Sequence, residues 1–209
     1  DVINAYETSK TVLTGLGHKL IEVDFSELSS GICSYYVIAP AECSSNLSRF
    51  DGVKYGYRSE GEKDIANLYM NTRSDGFGDE VKKRILIGTH VLSAGFYDAY
   101  YLQAQKVRRM IKVKFEDFFK VVDLIFMPTT LDQAFEKNRK SDDPNRMYKE
   151  DLLTIPANLA GLPAISFPNG FKNNLPIGGQ LIGKYFGEDL LLNTAHKIQE
   201  VTDWHKMTP

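Results

Sequence analysis

The sequence predicts an α/β layered fold, and three observations carry that prediction. Helical periodicity alternates along the chain with short apolar runs of strand length. The segment from Asp151 to Gly183 is too apolar for a surface loop and too often broken for a long helix, by Pro156, Pro163, Pro168 and Pro176. Between those breaks lie Ala164-Ile165-Ser166-Phe167 and Gln180-Leu181-Ile182-Gly183, strand-length runs bounded by proline and glycine. The composition, 43% hydrophobic and 25% charged over 209 residues, suits an ordinary globular chain with one core.

Taken in order, residues 1–14 read as an amphipathic helix ended by Gly15 to Gly17, with Val2, Ile3, Tyr6, Val12 and Leu13 at helical spacing. Lys19 to Phe25 alternates in hydropathy and predicts a strand, and the serine-rich Phe25 to Ile32 predicts a loop. Small residues and periodic aromatics favour a helix from Ser34 to Leu47. Phe50 to Arg73 is polar and punctuated by glycine, and predicts a loop with a short helix around Asp64 to Met70. A helix follows from Gly78 to Leu92, then a long one from Tyr97 to Val122. Val121 to Met127, stopped by Pro128, turns strand-like, and Thr129 to Asn145 is a polar connection. Two strands around Ser166 and Leu181, joined by an irregular turn from Asn169 to Pro176, lead into a last helix from Glu188 to Val201.

Several function classes are disfavoured. No apolar run reaches the ~18–20 residues of a membrane span, and no signal-peptide pattern opens the chain. A net charge of −2 argues against a dedicated nucleic-acid binder, whose affinity comes largely from neutralising phosphates. Cys33 and Cys43 lack metal-type spacing and suit a reducing compartment. His18, His90, His196 and His205 are scattered, so no metal site is expected. These features point to a cytoplasmic or organellar protein, neither secreted nor membrane-bound.

Ser34-Tyr35-Tyr36-Val37-Ile38-Ala39, Ser44 to Ser59, Phe77 to Thr89, Phe96 to Arg108, Asp142 to Tyr148 and Asp151 to Gly183 together carry a resemblance. Their order and spacing resemble the amidase signature family, and within it the glutamine-hydrolysing subunits of the glutamyl-tRNA(Gln) amidotransferases. Several colinear motifs are far more specific than one short pattern. The resemblance implies a mixed β-sheet core flanked by helices, with residues 1–209 as the C-terminal portion of a single amidase domain. Family members cut amides with a nucleophilic serine, a cis-peptide serine and a lysine in a Gly/Ser-rich signature. No such tract occurs here, so the chain is expected to be a C-terminal half without catalytic residues of its own.

The family's glutamine-recognition positions fall on Tyr35, Arg84 and Asp151. A guanidinium fork suits the α-carboxylate of glutamine, and an aspartate suits its α-ammonium. Each residue also has a bland reading. Arg84 follows Lys82-Lys83, and such runs commonly face solvent. Asp151 opens an apolar run, where an aspartate often caps a helix. Tyr35 sits beside Tyr36, where a core tyrosine with a satisfied hydroxyl is the ordinary case. Lys106 to Lys114 reads as a solvated helix face, with tRNA or an acidic partner as the alternative. Phe96, Tyr97, Tyr100 and Tyr101 fit either a pocket wall or core. Ser44, Ser45 and Ser166 have no elbow motif or adjacent base and fit loop or cap roles. Gly178-Gly179, before Gln180, predicts a looser strand edge.

The function expected from the resemblance is that of a glutaminase subunit. The intact protein hydrolyses glutamine, and the ammonia converts Glu-tRNA(Gln) to Gln-tRNA(Gln) in a heterotrimer with subunits B and C. ATP and Mg would serve the partner subunit, with no cofactor in this chain. The alternatives are a stand-alone amidase of the same family and a non-catalytic module that docks partner subunits.

Overall fold

The computed structural model describes residues 1–135 and 150–208. In chain order the helices are α1 (Val2–Gly15), α2 (Gly31–Leu47), α3 (Ile65–Gly76), α4 (Asp79–Val91), α5 (Leu102–Phe118), α6 (Ile155–Ala160) and α7 (Glu188–Val201). The strands are β1 (Leu124–Pro128), β2 (Ala164–Lys172) and β3 (Leu175–Gly183). Short 3₁₀ turns occupy Ser26–Ser30 and Trp204–Lys206, and a π-helical turn occupies Tyr97–Tyr101. The helices and small sheet make the predicted α/β class. The chain divides into two compact units, Asp1–Ile32 with Arg108–Pro209 and Cys33–Val107.

The first unit holds an antiparallel sheet in the order β1-β3-β2. Central β3 is buried from Gly179 to Gly183, as expected of a strand paired on both sides. Leu181 faces the cluster formed by Leu13 of α1, Phe167 of β2, and Leu191, Ala195 and Ile198 of α7, with Trp204 packed against it. That packing explains α1 and α7. Each buries one apolar stripe on the sheet, and most helical stability comes from such burial rather than propensity. Leu28, Ile111, Phe115, Phe118, Ile155 and Leu159 are buried in this unit as well.

The structure corrects several expectations in this unit. Residues 18–25 form no strand. The alternation there has no partner, because Leu20 and Ile21 stay 44% and 46% exposed while Phe25 stacks on Phe118 at 5.4 Å. The β2–β3 turn is shorter than expected. Lys172 pairs with Leu175, which leaves a two-residue loop, Asn173–Asn174, with φ of 52° and 61°. Two positive φ values mark the loop that matches strand twist in a hairpin. The irregularity instead sits inside β2, as a bulge between Pro168 and Phe171. Helix α6 was not foreseen in the proline-broken run, although Pro156 sits in its first turn where a missing N–H costs nothing.

The Gly178-Gly179 pair is tightly held rather than loose. A Cβ on Gly179 would lie 3.0 Å from Asn169 Cγ and 3.2 Å from the Phe126 ring, and one on Gly178 would lie 3.0 Å from Thr129. Gly179 pairs with both Pro128 and Phe167. The glycines admit close side chains from neighbouring strands.

In the second unit, the polar stretch after α2 is fixed to α3. Arg73 Nη1 donates to the carbonyls of Leu47 (2.9 Å) and Phe50 (3.0 Å), and Ser59 N–H donates to Thr72 Oγ1 at 3.0 Å. Asp64 caps α3 by accepting from Asn67 N–H at 2.9 Å. Pro40 lies inside α2, where it removes one helical hydrogen bond. At Pro40 the helix meets α4. A Cβ on Gly88 would lie only 1.9 Å from the Pro40 carbonyl oxygen, and Ser44 Oγ lies 2.9 Å from Thr89 Oγ1 beside it.

Candidate functional site

The close approach of α2 and α4 determines what Tyr35 and Arg84 can do. Arg84 lies one turn before Gly88 on α4, and Tyr35 lies upstream of Pro40 on α2. Arg84 Nη1 donates to the Tyr35 hydroxyl at 3.4 Å, long for a hydrogen bond, and Nε donates to Glu80 Oε1 at 3.0 Å. The Tyr35 hydroxyl first, then the Glu80 carboxylate, hold the guanidinium above its ordinary pKa, so it stays a cation at every working pH.

The Arg84 side chain is 31% exposed. Its Nη2 has no hydrogen-bond partner among the described residues. Two contacts therefore fix the direction of the guanidinium fork. The surface-pair reading of Arg84 is realised in part. The surface pair with Glu80 exists, and it orients a group that also meets Tyr35. Glu80 was missed, although a glutamate four residues before an arginine on a helix is a readable signal.

Asp151 belongs to the first unit. It is half-buried in the turn before α6, where its carbonyl accepts from Thr154 N–H (3.2 Å), Ile155 N–H (3.0 Å) and Thr154 Oγ1 (3.2 Å). The cap reading is not realised for α6. That helix starts at Ile155 with Thr154 at its N-cap and has no side-chain cap bond. One further residue reaches this turn. Gln180, 3% exposed on β3, donates from Nε2 to the carbonyls of Leu153 (2.9 Å) and Pro128 (3.1 Å). A glutamine inside an apolar strand run was the available signal, because buried polar groups are almost always hydrogen-bonded.

The other candidates have local roles. Arg108 Nε donates to the Leu159 carbonyl at 3.0 Å, Lys114 pairs with Glu27 at 3.2 Å, and Lys112 lies over the Tyr185 ring at 5.1 Å. Much of the basic run therefore serves its own unit. Ser44 lies within α2 rather than a loop, and Ser166 Oγ lies 3.1 Å from Thr129 Oγ1. Phe96 and Tyr100 stack at 5.9 Å and remain partly exposed. No group of three metal-type side chains comes together, and no helix is long and apolar enough to cross a membrane, among the described residues. A groove of about 640 Å³ is lined by Arg58, Ser59, Glu60, Glu62, Asp64 and Leu68, and includes none of the three predicted site residues. The motif Asp142 to Tyr148 lies outside the described residues.

Comparison with known proteins gives these positions a context. The chain is 56% identical over 209 residues to the A subunit of the glutamyl-tRNA(Gln) amidotransferase of Hahella chejuensis, covering all of this chain and 43% of that protein. It is 53% identical over 208 residues to the protein of the same name from Coxiella burnetii, again covering 43% of it. The chain thus spans less than half the length of these relatives. Among solved structures, it matches the crystal structure of the corresponding glutamyl-tRNA(Gln) amidotransferase A subunit from Thermotoga maritima with a TM-score of 0.71 and 38% identity, over 100% of this chain and 41% of that one. A Kluyveromyces lactis allophanate hydrolase shares the fold, with a TM-score of 0.72 at 24% identity over 96% of this chain and 29% of that one. Residues 1–192 match the profile of the family described as Amidase, and the chain belongs to that family.

Proposed function

We propose that this chain is the C-terminal portion of the single amidase domain of a glutaminase subunit serving a tRNA-dependent amidotransferase. Its role is to hold glutamine. Arg84, steadied by Tyr35 and Glu80, takes the α-carboxylate, and Asp151 takes the α-ammonium. Hydrolysis then proceeds in the intact protein through an acyl-enzyme on a serine outside this chain. The fragment alone is inactive. The released ammonia reaches a partner subunit that uses ATP and Mg to activate Glu-tRNA(Gln), in a complex with subunits B and C. Fixing the substrate at both charged ends makes attack effectively intramolecular, which can contribute about 7–11 kcal/mol in favourable cases.

The observation that carries this reading is the oriented guanidinium, with Arg84 bonded to Tyr35 and Glu80 and its Nη2 unpaired among the described residues. A zwitterionic amino acid needs that kind of fork, whereas a neutral amide substrate does not. The test is ammonia release from glutamine by the full-length protein with its partner subunits, comparing wild type, Asp151→Ala and Arg84→Ala. The expected result is a loss of kcat/KM in both variants, dominated by KM. Unchanged kinetics in both would remove the clamp and favour a stand-alone amidase with another substrate. No glutaminase activity in the wild type would favour a non-catalytic docking module.

A further inference from the structure

We infer that Gln180 is a positioning residue that ties the Asp151 turn to the sheet. The functional part of this inference rests on the proposed role of Asp151, while the structural tie stands on its own. Gln180 is opposite Met127 on β1 and Ser166 on β2 in the register of the sheet. By strand alternation its side chain leaves the face that carries Leu181 and the α1–α7 cluster. It is nearly fully buried, and its single amide nitrogen serves two backbone carbonyls, Pro128 at the end of β1 and Leu153 two residues after Asp151.

A carboxamide nitrogen carries two hydrogens, and here each has a carbonyl. The opposite amide orientation would aim Oε1 at two other oxygens, so the partners fix the rotamer's sense. A neutral amide also adds no charge beside Asp151. Lysine could donate to both carbonyls but would compete with a substrate ammonium, and glutamate would repel both. The ordinary alternative is a buried polar residue satisfied only for stability. What argues for more is the target. The Leu153 carbonyl belongs to the short turn in which the Asp151 carbonyl also holds Thr154 and Ile155. A turn tied through its Leu153 carbonyl to a three-stranded sheet keeps the Asp151 backbone from drifting, and ångström-scale misplacement of a substrate-holding group is costly.

The experiment uses the full-length protein with its partner subunits. Gln180→Met and the milder Gln180→Asn are compared with Asp151→Ala and with the double variant Asp151→Ala/Gln180→Met. Amide hydrogen exchange at Thr154 and Ile155 reads the tie without reference to activity. Both Gln180 variants should speed exchange there while leaving exchange in α7 unchanged. Gln180→Met should raise KM for glutamine about 10–100-fold with kcat nearly preserved, and Gln180→Asn should do so less. The double variant should have a KM no higher than Asp151→Ala alone, because both changes remove one contribution.

Unchanged exchange at Thr154 and Ile155 in a folded variant overturns the tie. Multiplying KM effects in the double variant overturn action through Asp151. A KM unaffected by Asp151→Ala sinks the clamp reading instead, and the exchange result then decides the tie by itself.

Discussion

Gly88 of α4 lies against Pro40 of α2 so closely that a Cβ at position 88 would sit 1.9 Å from the Pro40 carbonyl oxygen. No side chain fits there, and the opposing atom is backbone, which cannot rotate away. Arg84 is one turn from this crossing and donates to Tyr35 of α2. The glycine therefore sets the separation that the Tyr35–Arg84 bond requires.

Two effects of Gly88→Ala have opposite signs. Helix propensity favours alanine by about 1 kcal/mol, while overpacking costs about 1–3 kcal/mol. The 1.9 Å overlap is severe enough for overpacking to win. Chemical denaturation should show net destabilisation, and KM for glutamine should rise as the Tyr35–Arg84 bond is lost. A stabilised variant would show that the helices part without cost.

Arg84→Lys should raise KM for glutamine by about 10-fold or more, because an ammonium cannot reproduce a planar fork that bonds Tyr35, Glu80 and a carboxylate together. Glu80→Gln should behave differently. Its pair with Arg84 is largely exposed, and such i,i+4 pairs contribute about 0.3–0.5 kcal/mol. Stability should hardly change, and the kinetic effect should stay within a few-fold. Steady-state glutaminase assays on the full-length protein separate the two. Equal losses would mean that Glu80 does more than aim the fork.

Ser9 and Asn169 form a buried polar pair joining α1 to β2, and Asn169 is 1% exposed with its Nδ2 unpartnered among the described residues. Ser9→Ala should cost about 1–3 kcal/mol, since it strips the carboxamide oxygen of its donor while the amide remains buried. The double variant Ser9→Ala/Asn169→Leu should cost less than the two single changes added together, because it removes both polar groups at once. Denaturation midpoints of the four proteins test this. Strict additivity would mean that the pair does not interact.

What the sequence revealed and what it hid follow one division. Elements whose apolar residues face a single layer were readable from period alone. Helix α7 spans the predicted Glu188–Val201, and β1, at Leu124–Pro128, falls within one residue of the predicted end at Met127 but starts three residues after the predicted Val121. Residues 19–25 were misread because alternation signals a strand only if a partner strand exists, and hydrogen-bond partners are a tertiary fact. Tyr35, Arg84 and Asp151 came from family resemblance, and their supports were less visible. Glu80 was within reach through local spacing. Gln180 could be flagged as a polar residue in an apolar run, but its partners could not be read, because Leu153 and Pro128 are separated from it by 27 and 52 residues. The Gly178-Gly179 pair shows the same limit, since a glycine's freedom is local but the side chains that demand its bareness are not.

The hairpin joining β2 to β3 supplies the last prediction. Asn173 and Asn174 both adopt positive φ, at 52° and 61°, in a loop that leaves Lys172 paired with Leu175. Asparagine tolerates this region better than other side chains, and glycine enters it without steric cost. Two-residue hairpins of this type favour asparagine followed by glycine. Asn174→Gly should therefore leave the fold intact and raise stability slightly, by about 0.5 kcal/mol, since removing αL strain outweighs the added freedom of the unfolded chain. Asn174→Val should do the reverse by more than about 1 kcal/mol, on the order of the αL penalty for a β-branched residue. Both variants leave the buried registers of β3 untouched, so denaturation midpoints should move without loss of glutamine binding in the full-length protein. If the valine variant were as stable as wild type, the loop would have to reach its turn through another backbone conformation.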